Sequence, residues 1–154
     1  FQIPHEVQIG SSLVIQAEAD GVRGPSVRVA TNEVSPGIFT VDGKRGAVIN
    51  HVGLLDAVER GNYAVGFASG LGAVIGDVRT GEVAPSELRP TVAPVEVFVN
   101  GALCPTLFAG LSPGFVGLYQ FNFQVPMDLP SASTYALSIR QLGRMSTGVS
   151  VTIR

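Results

Sequence analysis

Residues 1–31 read FQIPHEVQIGSSLVIQAEADGVRGPSVRVAT, and residues 123–153 read FQVPMDLPSASTYALSIRQLGRMSTGVSVTI. The two stretches align without a gap at an offset of 122 residues. Identities fall at Phe1/Phe123, Gln2/Gln124, Pro4/Pro126, Ser11/Ser133, Gly21/Gly143, Val27/Val149 and Val29/Val151, and Ile3/Val125 and Ser12/Thr134 are conservative. These positions are physically distinctive. Pro ends a strand because it has no N–H to donate. Gly21 and Gly143 stand at the turn between two alternating stretches. The repeated unit therefore reads as a strand end, a loop and a hairpin, which is the second half of a sandwich domain.

Working outward, the apolar spacing is period two nearly throughout, the mark of strands half buried on a sheet. Ser12–Ala19 places Leu13, Ile15 and Ala17 on one face, and Val27 and Val29 alternate with Arg28. Tyr63–Ser69, Val95–Val99, Val116–Val125, Tyr135–Gln141 and Val149–Ile153 follow the same pattern, with Glu96 and Phe98 opposite the valines of VEVFV. Turn formers lie between them: Asp20-Gly21, Asp42-Gly43, Asn100-Gly101, Gly110 and Gly143. Only Leu54–Arg60 has the makings of a helical turn. We expect an all-β protein, an antiparallel immunoglobulin-like β-sandwich with one complete unit plus a half unit and essentially no helix.

The second copy of the repeat has strands upstream of it, at Tyr63, Val95, Leu103 and Val116, whereas the first copy opens the chain. We expect residues 1–45 to form the half unit and residues 46–154 the complete one. Three or more strands with a covered apolar face are usually needed for stability. The half unit must therefore pack on its own chain or be completed by another. Phe1, Ile3, Leu13, Ile15, Val27 and Val29 are the candidate interface residues, and a homo-oligomer or head-to-tail polymer is the expected partner. The chain starts at Phe1 rather than Met, which reads as a processed chain or a piece of a longer one.

Composition narrows the classes. Apolar residues make up 45% and charged residues 14% of the 154, against about 25% charged in a typical chain, and mean hydropathy is +0.35. That balance points to apolar surface covered by a partner. Net charge is −2 without a basic block, and nine of the ten cations are Arg, so a phosphate-tracking nucleic-acid surface is not expected. No apolar run reaches the ~20 residues of a membrane helix. Cys104 is the single cysteine, which excludes an internal disulfide and reads as a small buried hydrophobe.

The phrases FQIPHEV, SPGIFT (Ser35–Thr40), ERGNYAVGFASGLGAV (Glu59–Val74) and VEVFVNGALCPTLFAGLSPGFVGLYQFNFQVP (Val95–Pro126), with the final hairpin, form a set. It resembles the Solibacter-type uncharacterised C-terminal domain at the ends of large secreted bacterial proteins. The resemblance covers nearly the whole chain and is most specific from Ala109 to Pro126. It implies tandem immunoglobulin-like units of the IPT/TIG kind and a secreted or cell-surface location, with no activity to carry over. The chain departs from the pattern at His51–Glu59, where a longer Asn- and Pro-rich loop is usual, and in lacking a further half unit upstream of FQIP.

No set of residues spells out a reaction. Gly70-Leu71-Gly72-Ala73-Val74-Ile75-Gly76 has Ile75 where a dinucleotide loop needs its third Gly, and Gly76-Asp77 and Gly81 break the helix that would meet a pyrophosphate. Glu18 with Asp20, and Asp77 with Glu82, fall short of a calcium loop. His5 and His51 have no sequence relation to Cys104, and the carboxylates are scattered. We therefore expect no enzyme, no cofactor and no metal, but a structural or adhesive module. The alternative is a carbohydrate- or cell-wall-binding accessory domain, with Tyr63, Phe115 and Tyr119 stacking on a cell-surface polysaccharide. An inert spacer or sorting domain is a third reading.

Overall fold

A computed structural model describes residues 2–4, 6–129 and 133–154, which hold thirteen strands. β1 (Ser12–Ala19) and β2 (Val22–Ala30) form an antiparallel hairpin that, among the described residues, joins no other strand. The remaining strands make a sandwich. Its larger sheet runs β3 (Gly37–Ile38), β5 (Tyr63–Ser69), β10 (Tyr119–Gln124), β9 (Thr106–Leu111), β6 (Arg89–Pro90), with β4 (Val48–Ile49) also on β5. The opposing sheet runs β12 (Arg144–Met145), β11 (Thr134–Gln141), β7 (Glu96–Val99), β8 (Ala102–Cys104), with β13 (Val149–Thr152) also on β11. All strand pairings are antiparallel.

Alternation builds the core. Tyr119, Phe121 and Phe123 of β10 point inward with Ala64 and Ala68 of β5, and meet Val97, Val99, Leu137, Ile139 and Val151 of the opposing sheet. The Phe121 and Phe123 rings stack at 5.8 Å between centroids. Phe121 also fills the space over Gly66 in the next strand, where an added Cβ would lie 2.1 Å from the ring. Gln141, 1% exposed, ties loops to the core: its Nε2 donates to the carbonyls of Leu71 at 3.1 Å and Ala93 at 2.9 Å.

Three expectations are corrected. The boundary at residue 45 falls inside the sandwich, because Ile38 pairs with Ala68, Thr40 bridges Gly46 and Val34 is buried. Leu54–Arg60 makes no helical turn; Val58 runs parallel to Ile153 instead and closes that edge. Gly110 is not a turn but a strand residue of β9, where the Arg89 carbonyl and the Phe108 ring leave no room for a Cβ.

Candidate interaction surface

The repeat seen in the sequence is a repeat of structure. In β1–β2, Ser12 pairs Ala30, Leu13 pairs Val29, Val14 pairs Arg28 and Ile15 pairs Val27. At the 122-residue offset, Thr134 pairs Thr152, Tyr135 pairs Val151, Ala136 pairs Ser150 and Leu137 pairs Val149. The register is the same at all four positions. Nearer the turn, Glu18 pairs Arg23 as Arg140 pairs Met145. The turns match as well, with φ of 51° and 76° at Asp20-Gly21 and 47° and 75° at Leu142-Gly143. Two positive φ values in a two-residue loop suit the right-handed twist of a hairpin. Even the closing bond recurs: the Thr31 N–H donates to Ser11 at 2.9 Å and the Ile153 N–H to Ser133 at 3.0 Å.

What differs is the cover. The inward face of the second hairpin, Tyr135, Leu137, Ile139, Val149, Val151 and Ile153, is buried, and β7 lies along β11 from Leu137 to Arg140. The equivalent face of the first hairpin carries Leu13, Ile15, Ala17, Val27 and Val29. Val27 is 58% exposed where Val149 is 9% exposed, and Leu13, Ile15 and Val29 are only half buried. Among the described residues no strand lies along the outer edge of β1. The hairpin is attached to the sandwich by polar contacts around it. The Gly81 N–H donates to Gln2 Oε1 at 2.9 Å, Thr80 Oγ1 donates to Glu6 Oε2 at 2.8 Å, and Arg144 Nη2 donates to Asn32 Oδ1 at 3.0 Å. Of the six candidate interface residues the structure thus brings Leu13, Ile15, Val27 and Val29 onto one face. Ile3 is exposed outside the hairpin, and Phe1 lies outside the described residues, as does His5.

The sugar-stacking trio does not form a row. Tyr119 is 6% exposed, and its hydroxyl donates to the Gly72 carbonyl, so it offers no ring face to a ligand. Tyr63 and Phe115 are exposed, but Tyr63 pairs Gln124 at one end of β10 and Phe115 lies in the loop that leads into the other end. The sequence could not separate them because inward and outward aromatics share the same period.

A second surface, only half buried within the chain, escaped the sequence analysis. Outward positions of the larger sheet are Tyr63, Val65, Phe67 and Ser69 on β5, Gln120, Asn122 and Gln124 on β10, and Phe108 on β9. None is charged. Ile49, Val65, Asn122 and Phe108 are cross-strand neighbours in one row, and Phe39 stands beside Phe67 through its N–H bond to the Phe67 carbonyl. The outward face of the opposing sheet is different: there Arg140 forks onto Glu96 at 2.7 and 2.8 Å and its guanidinium lies over Phe98 at 5.0 Å. That pairing holds the Glu96 carboxyl below its ordinary value, mainly through the side-chain hydrogen bond.

Chemistry-bearing groups are sparse. Burial pushes the Cys104 thiol up, away from the reactive thiolate. Among the described residues no group of three His, Cys, Asp or Glu could hold a metal, and no helix is long and apolar enough to cross a membrane. A 50 Å³ pocket between Arg45 and Asp56 and a 230 Å³ groove along Pro90–Val95 and Thr106–Ala109 are both smaller than the ~300–1,000 Å³ of small-molecule sites. No family model, no curated protein and no solved structure matches the chain.

Proposed function

We propose that this protein is a non-enzymatic structural or adhesive module of the bacterial cell exterior that self-associates head to tail through its N-terminal hairpin. One observation carries the proposal: a hairpin with the register and turn of a buried sandwich hairpin has its apolar face uncovered. A two-stranded sheet by itself is marginal in water, and an uncovered β-face with an open edge recruits another β-surface. A contact between unlike surfaces need not close into a ring, so it extends into a filament. The resemblance to C-terminal modules of secreted bacterial proteins supports the location. The low charge content and the small concavities favour protein association over small-molecule chemistry.

The test is sedimentation velocity over a range of concentrations, with negative-stain electron microscopy of the concentrated sample. Concentration-dependent species larger than the 16.0 kDa chain, lengthening into fibres, are expected. A monomer that persists at millimolar concentration ends the proposal.

A further inference from the structure

We infer that the surface receiving the hairpin is the outward face of the β5–β10–β9 sheet of a second copy, centred on Phe67 and Phe108. This inference rests on the self-association reading and adds the surface that completes it. The chain itself contains the template. Its second hairpin, in the same register, lies face to face over the inward side of the very sheet formed by β5 and β10. In a neighbouring copy that inward slot is already filled by β11–β13. The outward side of the same strands has the same twist and its residues are only half buried, and two β-faces stack there as in any sandwich, about 10 Å apart.

Size and charge match. Leu13 to Ala17 spans about 13 Å along the strand, and the row Ile49–Val65–Asn122–Phe108 spans about 14 Å across four strands. Neither face carries a charge, so each buries the other without stranding an ion. The charges of the hairpin lie off the contact: Glu18 and Arg23 pair at 2.8 Å near the turn, and Arg28 projects from the opposite side. The β6 and β9 side of the receiving face carries Pro90 and Pro105. Pro hinders edge-to-edge addition on that side, which favours the face as the route. A hairpin patch of this size is small beside the ~800 Å² per partner of a standard interface. Each contact is therefore weak, and assembly depends on concentration.

The test uses two variants of the full chain, Ile15→Glu on the hairpin and Phe67→Glu on the sheet, with thermal melts to verify folding. Each alone should raise the concentration for half association by about tenfold or more, the effect of one buried apolar side chain. Their equimolar mixture retains one good hairpin and one good sheet face, and should form dimers that go no further. A mixture that stays monomeric while the wild type assembles overturns this inference and leaves the self-association reading standing. A wild type that never associates removes both. Should either variant fold poorly, cysteine cross-linking decides, since the one native thiol, Cys104, is buried. Val27→Cys combined with Phe108→Cys should give a covalent ladder, and Val27→Cys with Ser138→Cys, on the other outward face, should not. The reverse pattern overturns the inference. So does a monomeric wild type that polysaccharide retains through Phe67 and not through Ile15.

Discussion

Glu96 and Arg140 lie across from each other on β7 and β11, and their forked pair is open to solvent. Because Arg140 holds the Glu96 carboxyl below its ordinary value, its contribution is present above the ordinary carboxylate pKa of about 4.3 and is lost as pH falls through the lowered folded value. Glu96→Gln should lower the urea midpoint slightly near neutrality, and the difference should vanish in strong acid and shrink in high salt. Equilibrium unfolding at several pH values measures both. Gln141 is the more consequential residue. Its amide satisfies the buried carbonyl of Leu71 and the partly buried carbonyl of Ala93. Gln141→Leu orphans both, and should cost about 2 kcal/mol or more by chemical denaturation.

At the scale of elements, legibility followed length. β1 and β5 are bounded as their alternation requires, and the Asn100-Gly101 turn has the φ values, 51° and 81°, that its sequence asks for. Two-residue strands such as β3, β4 and β6 carry no readable period, and they are held in place by longer neighbours. That is why the boundary at residue 45 was misplaced: Ile38 has no pattern of its own and is recruited by β5. The interface candidates on the hairpin were legible because a repeat exposed them. The outward face of Phe67 and Phe108 was not, because its apolar residues on β5 and β9 flank Gln120, Asn122 and Gln124 of β10, whose polar alternation reads as a solvated face. Gly66 shows the same limit. It looks like a flaw in a strand until Phe121 is seen to occupy the space above it. Gly66→Ala should therefore destabilise by about 1–3 kcal/mol through overpacking, read from the shift in thermal or denaturant midpoint.

At the scale of the whole molecule, the hairpin and the sandwich share no strand pairing among the described residues. Exposed hydrogen bonds at Gln2, Glu6 and Asn32 join them, each contributing about 1 kcal/mol or less. Removing residues 1–31 should leave a sandwich that melts within a few degrees of the intact chain, while abolishing association. A collapse of the melting temperature would mean that the hairpin is structural to its own sandwich. The shared register and turn of the two hairpins also have a consequence for the chain as it folds. It carries a decoy. Residues 1–31 match the register of the slot between the sheets, but they do not match its volume. Placed there by the repeat, Leu13 would stand for Tyr135, Ala17 for Ile139, Thr31 for Ile153 and Ala19 for Gln141. The exchange opens cavities, strands the carbonyls that Gln141 satisfies, and sets Glu18 against Glu96. The sandwich thus proofreads its own sequence by size and charge, rejecting the wrong copy from its core and leaving that copy outside.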